Sequence, residues 1–236
     1  MIDVKNIFSS ITRIKKLTQE EQFYKQLFIN NPTWNKPDPN DDELLRWQII
    51  EKLLSRISHL KLKNTSNEKF QILDLGCGRG WLTNLLSHYG NITGIEPIKD
   101  VVTYSKKLFP KLKIIHGTSQ TLINSKNFTN YDLIVSSEVI EHIPDSEKLS
   151  FVHDIKLLLK KKGYLIITTP RKDVEEQWKK YADPNQPVEE WMSEFQVNKL
   201  FVDAGFTKIQ IERGALAPVL NAPLIEIYQL WLFQIL

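Results

Sequence analysis

Between Phe70 and Gly80 a short apolar run breaks into a glycine-rich turn, Ile72-Leu-Asp74-Leu-Gly76-Cys77-Gly78-Arg-Gly80, and a helical stretch follows at once. Glycines allow tight backbone geometry and let a ligand approach the main chain, while a helix start behind them offers unpaired N–H groups. The run opens a series. Phe70–Leu75, Ile92–Ile95, Leu112–Ile115, Tyr131–Val135 and Gly163–Thr168 read as strands, interspersed with helices over Gly80–Tyr89, Lys99–Leu108 and Ser146–Lys161. Such alternation predicts a parallel sheet with helices on both faces. A late helix, Ser193–Ala204, ends at Gly205, a suitable left-handed cap. Phe206–Arg213 and Ile225–Leu236 read as two more strands, joined by a loop with no room for a crossover helix, which predicts an antiparallel hairpin. The fold class expected is α/β: a doubly wound, seven-stranded sheet, mostly parallel with a C-terminal antiparallel hairpin, plus an N-terminal helical cap.

The cap is read from residues before the alternation begins. Ile7, Ile11, Ile14 and Leu17 recur at helical spacing, and Thr18-Gln19-Glu20-Glu21 has the form of a fresh helix start. Asn31-Pro32 stops this region, and Asn35–Asn40 is a turn-rich connector. A second helix opens with Asp41-Asp42-Glu43 and carries an apolar stripe of Leu44, Trp47, Ile50, Leu53, Leu54 and Ile57. The polar segment Lys61–Lys69 is the candidate linker. The chain therefore divides into a cap or lid, residues 1–66, and one compact domain, residues 67–236.

Composition narrows the partners. The formal charge of +3, from 31 basic against 28 acidic residues, is too small and too scattered for a nucleic-acid footprint. The densest basic run, Lys160-Lys161-Lys162, reads as the solvated last turn of a helix. Cys77 is the one cysteine, so an intramolecular disulfide is impossible and oxidising export is not suggested. The start lacks the layout of a signal peptide, and no apolar stretch reaches the roughly 20 residues a membrane span needs. A cytoplasmic protein without a membrane span is expected, of open oligomeric state.

The spacing of the glycines bears on the ligand. A dinucleotide turn reads Gly-x-Gly-x-x-Gly and takes a pyrophosphate. Here the pattern is Asp-x-Gly-x-Gly-x-Gly, and a carboxylate at the strand's end would repel a pyrophosphate but suits an ammonium group. A second acid, Glu96 in Gly94-Ile95-Glu96-Pro97, ends the second strand where a carboxylate can accept both hydroxyls of a ribose. These two segments resemble motif I and its acidic successor in class I S-adenosylmethionine-dependent methyltransferases, over about Phe70 to Arg213. The resemblance implies a Rossmann-like fold and S-adenosylmethionine as cofactor, with S-adenosylhomocysteine as product. It places Gly76, Gly78 and Gly80 along the methionine and ribose part, with Asp74 supporting the amino group and Glu96 on the ribose. Cys77, Pro97, Ser119, Ser137 and Glu138 complete the expected cofactor residues. The acid that the family usually carries after its third strand is replaced by Gly117-Thr118-Ser119-Gln120, so the Ser119 hydroxyl or a backbone group is expected at the adenine.

The acceptor side follows the fourth strand, in Ser136-Ser137-Glu138-Val-Ile-Glu141-His142-Ile-Pro144. Methyl transfer needs positioning above all, and a base where the nucleophile is a hydroxyl. His142 is the candidate catalytic base, against a structural role in ordering the helix start. The run resembles the Glu-Val-Ile-Glu-His of ubiquinone-pathway and small-RNA 2′-O-methyltransferases, some of which bind a divalent metal through both glutamates and the histidine. Glu138, Glu141 and His142 match three such positions. Gln186 falls near the place of the fourth, a histidine this chain lacks, so a metal-free role is preferred. Thr169-Pro170-Arg171 is expected at the acceptor's edge. Trp178, Tyr181, Glu189, Glu190 and Trp191, with Trp34, Arg46 and Trp47, either meet the acceptor or seat the lid. The function expected is methyl transfer to a hydroxyl, ahead of an amine, of a small molecule such as a sugar, quinone or natural-product intermediate. The alternatives are an RNA or protein methyltransferase, or an inactive cofactor-binding partner subunit.

Overall fold

The computed structural model describes residues 18–57, 70–125, 130–182 and 186–236. The stripe at Ile7, Ile11, Ile14 and Leu17 and the segment Lys61–Lys69 lie outside the described residues. Strands β1 (Gln71–Leu75), β2 (Asn91–Glu96), β3 (Ile114–His116), β4 (Tyr131–Ser137), β5 (Leu159–Pro170), β6 (Phe206–Leu216) and β7 (Ile225–Ile235) form one sheet. Its order is β3-β2-β1-β4-β5-β7-β6. The first five strands run parallel, and β7 is antiparallel to both β5 and β6. The expected hairpin is present, with its second strand inserted between β5 and the first.

Side chains alternate across this sheet, as the pleat demands. Leu73, Ile134, Leu165, Ile167, Trp231 and Phe233 enter one core. Ile72, Leu133, Val135, Ile166, Leu230 and Leu232 enter the other. Both faces are apolar because helices cover both. Helices α5 (Ser119–Ile123), α6 (Asp145–Leu158) and α8 (Glu194–Asp203) seal the first face through Leu122, Phe151, Ile155, Val197 and Phe201. Helices α2 (Asp41–Leu54) and α3 (Trp81–Leu86) seal the second through Ile50, Leu53, Leu54, Trp81 and Leu86. Helix α4 (Lys99–Leu108) flanks β2 and β3, burying Val101 and Val102, and the short α7 (Glu175–Lys179) lies against β7.

The helix starts follow the capping signals. Helix α1 (Gln19–Lys25) begins at Thr18, whose Oγ1 accepts from the Glu21 N–H at 3.1 Å while Glu21 accepts from the Thr18 N–H at 2.7 Å. It continues as a π-helical turn, Gln26–Asn30. Asn40 and Glu43 cap α2 in the same reciprocal way, and Ser193 and Gln196 cap α8. Gly205 ends α8 with φ +96°, the left-handed position expected of it.

Two expectations are corrected. Lys160–Lys162 are not the last turn of a helix. Helix α6 stops at Leu158; Leu159 pairs with Tyr131, Lys160 forms an ion pair with Asp132 at 2.9 Å, and Lys162 turns the chain at φ +62°. The strand begins early because Leu159 fills the core that another helical turn would carry it past. The apolar stripe of α2 is also only partly inward. Leu44 is 41% exposed, whereas Glu43 and Arg46 are buried at 1% and 4%. Polar partners across the sheet's end, described below, decide that rotation.

Phe233 stacks on Phe201 at 5.0 Å and on Trp231 at 5.5 Å, with no exposure to solvent. Replacing Phe233 by Ala is expected to destabilise the fold by about 3–5 kcal/mol, read as a lower guanidinium midpoint at unchanged slope.

Candidate functional site

The turn after β1 is anchored on the end of β2. The N–H groups of Gly76 and Cys77 both donate to the Ile95 carbonyl, at 2.9 and 3.0 Å. Gly76 and Gly80 hold φ at +81° and +91°. A Cβ on Gly80 would lie 2.5 Å from Ser105 Oγ, and one on Gly76 would collide with Val139. No other residue fits these two positions. Glu96, 6% exposed, accepts from the Gly78 N–H at 3.1 Å with one oxygen and from the Ile98 N–H at 2.8 Å with the other. Each oxygen keeps acceptor capacity for a further donor. Burial pushes the Glu96 carboxyl up to about 7 against the pull of those two N–H groups.

A cavity of about 1110 Å³ opens over this turn. Gly76, Cys77, Gly78, Glu96 and Pro97 line its floor, and Phe28 and Trp34 of the N-terminal segment form part of its opposite wall. Asp74 and Gly80 stand behind that floor. Asp74 is buried, accepts from Thr83 Oγ1 at 2.6 Å and is pushed up to about 7 by burial, so it braces the turn against α3. The Cys77 thiol is pushed well up by burial and by Asp74 and Glu96, which leaves it a poor nucleophile. Beyond the end of β3, Ser119 reaches the same cavity and donates to Asp154 Oδ2 of α6 at 2.6 Å.

The acceptor side is built on the ends of β4 and β5. Glu138 adopts φ +55°, unusual for a residue with a side chain, and Thr168 Oγ1 donates to its Oε1 at 2.6 Å. Its carboxyl is raised well above the usual range by burial and by Glu141, with Arg46 and Thr168 opposing. Glu141 accepts from Thr169 Oγ1 at 3.0 Å and is pushed up to about 8, chiefly by burial. His142 Nδ1 lies 2.9 Å from the Val188 carbonyl, its Nε2 is 3.7 Å from Glu141 Oε1, and the Tyr24 ring meets it edge-on at 5.9 Å. Gln186 lines the cavity and accepts from the Tyr24 hydroxyl at 3.4 Å. Among the described residues no three His, Cys, Asp or Glu side chains converge as metal ligands.

A family model described as a methyltransferase domain matches residues 39–211. The chain belongs to that family, the class I S-adenosylmethionine-dependent methyltransferases. Among curated relatives, it is 33% identical over 131 residues to the ubiquinone biosynthesis O-methyltransferase of Rickettsia prowazekii, covering 50% of each chain. It is 29% identical over 155 residues to that of Vibrio cholerae, covering 58% of this chain and 62% of the other. The chain thus spans about half the length of the first of these relatives. In fold it is similar to the N-methyltransferase NodS of Bradyrhizobium japonicum, solved with S-adenosylhomocysteine. That likeness has a TM-score of 0.65 at 16% identity, over 92% of this chain and 98% of the other. A magnesium protoporphyrin IX methyltransferase from Synechocystis, with bound S-adenosylmethionine, superimposes with a TM-score of 0.60 at 12% identity, over 94% and 99%.

The methyltransferase's cofactor is S-adenosylmethionine, and the residues present fit it. Glu96 offers two oxygens to a diol, and Arg46 brings a buried cation. Arg46 donates to Ser137 Oγ at 3.2 Å and Asp42 Oδ2 at 3.0 Å, while its Nε has no partner among the described residues. Its guanidinium stands 5.3 Å from the Tyr228 ring and 6.0 Å from that of Trp81. Arg79, fully buried inside the glycine turn, donates twice to Glu43, to the Lys36 carbonyl at 2.6 Å and to the Asp38 carbonyl at 3.1 Å. The roles of Arg46, Arg79 and Glu43 are not visible in the sequence, because charged residues on helices and turns ordinarily face solvent. The available signal was the reciprocal cap at Asn40 and Glu43, which fixes where α2 begins. Of the aromatic residues weighed for the lid, Trp178 and Trp191 pack on the second core and also line the cavity. Tyr181 is 44% exposed. Trp47 is partly buried against Tyr89 instead, at 6.0 Å.

Two outcomes follow. Glu96 must be ionised to accept from two N–H groups and a diol at once. With its carboxyl at about 7, affinity for S-adenosylhomocysteine is expected to fall below pH 7, by at most about tenfold per unit for one proton, and to level off above pH 8; calorimetry from pH 5.5 to 8.5 measures it. Arg79→Ala leaves the Glu43 carboxylate buried without its partner. A loss of about 3–5 kcal/mol of stability is expected, measured by denaturant titration.

Proposed function

We propose that this methyltransferase transfers a methyl group to a hydroxyl of a small, largely apolar molecule, with His142 as the base. The observation that carries the reading is the 2.9 Å contact between His142 Nδ1 and the Val188 carbonyl. A carbonyl only accepts, so Nδ1 holds the ring proton and the neutral ring keeps its lone pair on Nε2. A hydroxyl must give up its proton as its oxygen bonds to carbon, and a positioned histidine is suited to take it.

S-adenosylmethionine, when bound, supplies an electrophilic methyl group on sulfur. Glu96 would hold its ribose hydroxyls, the floor from Gly76 to Gly78 its methionine part, and Arg46 with Ser137 its carboxylate. Asp74 acts from behind, through Thr83. His142 accepts the acceptor's proton at Nε2, 3.7 Å from Glu141 Oε1. Among the described residues before 66, Phe23 to Trp34 close over the cavity as the cap, whereas α2 packs on the sheet as part of the cofactor domain.

Trp178, Trp191, Ile227 and Tyr228 give the acceptor end an apolar lining beside Pro170. That lining supports a flat apolar acceptor over a strongly charged one. The relatives named for ubiquinone biosynthesis support a small-molecule hydroxyl. No helix among the described residues is long and apolar enough to cross a membrane. A reducing, cytoplasmic setting suits the buried free thiol of Cys77.

With a panel of phenolic acceptors, His142→Ala is expected to lower kcat by about 10²- to 10⁴-fold, while affinity for S-adenosylhomocysteine stays at the wild-type value. Wild-type turnover in that variant would remove His142 as the base.

A further inference from the structure

The carbonyl that orients His142 belongs to an irregular strap, residues 186–191, between α7 and α8. Gln186, Glu189 and Trp191 of this strap line the acceptor end of the cavity. Downstream the chain is fixed at Met192, whose carbonyl accepts from the Lys172 N–H at 3.1 Å and from Gln229 Nε2 at 2.7 Å. Within the strap, Val188 and Glu190 are tied to the run that carries the histidine. The Val188 carbonyl accepts from His142 Nδ1 at 2.9 Å, and the Glu190 N–H donates to the Glu141 carbonyl at 2.8 Å. The Glu190 carboxylate accepts from the Asp145 N–H at 2.6 Å. Irregular segments move more readily than the elements they connect, so the ring is oriented only as firmly as the strap is held.

A buried cation supplies the remaining tie. Lys148, in the first turn of α6, is 3% exposed, an unusual place for a lysine. Its ammonium donates to the Glu190 carbonyl at 2.9 Å and to Asp145 Oδ1 at 2.5 Å, with Glu190 Oε2 at 3.6 Å. A buried charge is tolerated only with partners, and two of these three belong to Glu190. Asp145, its side chain 79% exposed, is the third. Displacing the strap would strip the ammonium of the Glu190 carbonyl and carboxylate together. Lys148 therefore resists that displacement, two residues along the chain from the carbonyl that meets His142.

We propose that Lys148 is a positioning residue for His142: its ammonium holds the strap so that the Val188 carbonyl keeps the ring proton on Nδ1 and leaves Nε2 free to accept. With the strap released, the ring is free to carry its proton on Nε2, the side on which Glu141 Oε1 lies 3.7 Å away. A ring protonated there has no lone pair to offer the acceptor's hydroxyl. Glu189 Oε2 stands 3.7 Å from Nδ1, but it belongs to the same strap and moves with it. The inference rests on His142 as the base, and its test separates the two.

Nitrogen NMR of the full chain, labelled in its histidine rings and bound to S-adenosylhomocysteine, distinguishes a protonated ring nitrogen from a bare one. The His142 signals are those that vanish in His142→Ala. The wild type is expected to carry its ring proton on Nδ1 alone. Lys148→Met keeps the stem and removes the donors. It is expected to add a population protonated on Nε2 and to lower kcat on phenolic acceptors by about 10- to 10²-fold, the effect of a small misplacement of a reacting group. Affinity for S-adenosylhomocysteine is expected to stay at the wild-type value. If Lys148→Met does not fold, Glu190→Ala decides the matter: losing one tie of the strap is expected to shift the tautomer in the same direction and to lower kcat by about threefold. A lower kcat with the proton still wholly on Nδ1 means that Lys148 serves stability alone, and overturns the proposal. A tautomer and kcat both unchanged in Lys148→Met, with turnover lost in His142→Ala, overturn it and leave His142 as the base. Wild-type turnover in His142→Ala removes both.

Discussion

The guanidinium of Arg79 joins parts of the molecule that the chain keeps far apart. It sits within the glycine turn, fully buried, and holds Glu43 of α2 together with two carbonyls of the connector, Lys36 and Asp38. Removing a charged pair from water is expensive, and the pair is tolerated only because every donor direction it uses is matched. Glu43 serves twice, as reciprocal cap of α2 with Asn40 and as the anion of the clamp. The segment over the cofactor floor is thus bonded to the floor itself. Phe28 is placed above Gly78, with the Trp34 ring edge-on to it at 6.4 Å, by a chain that Arg79 grips a few residues later.

Around the clamp the site gathers carboxyls away from water. Asp74, Glu96, Glu138 and Glu141 are all raised, and burial is the largest cause in each. Arg46 is the cation that Glu138 and Glu141 both feel. Such an arrangement suits a ligand that brings positive charge of its own, as a sulfonium and an ammonium do, because the ligand then completes the pairing that the protein leaves partial. The same field makes Cys77 inert despite its place in the turn.

Much of this was legible along the chain. Strand positions, the hairpin, the two acids and the glycine turn follow from period-two apolar runs and from residues whose backbone demands are severe. Gly76 and Gly80 have no alternatives, and Glu96 ends a strand at the edge where ligands bind. The failures share a cause. Leu44 is exposed while Glu43 and Arg46 are buried, and Lys160–Lys162 enter a strand, because each depends on what stands opposite. Helical periodicity cannot see Arg79 or Ser137 across the sheet's end, and charge alone cannot reveal that Leu159 is needed in the core.

The order of residues by itself determined the layered α/β sheet, the glycine turn after its first strand and the acid beside it. Those features arise from local backbone geometry and alternating hydrophobicity, which act over a few neighbouring residues. Only the tertiary structure decided that Asp74 stands behind the floor and accepts from Thr83, that Arg46 faces the cavity, and that Asp154 of α6 holds Ser119 and Gln120. These are pairings of buried polar groups from distant segments. Burial multiplies the penalty for leaving such a group unmatched, and which partner matches it is settled only when the segments meet.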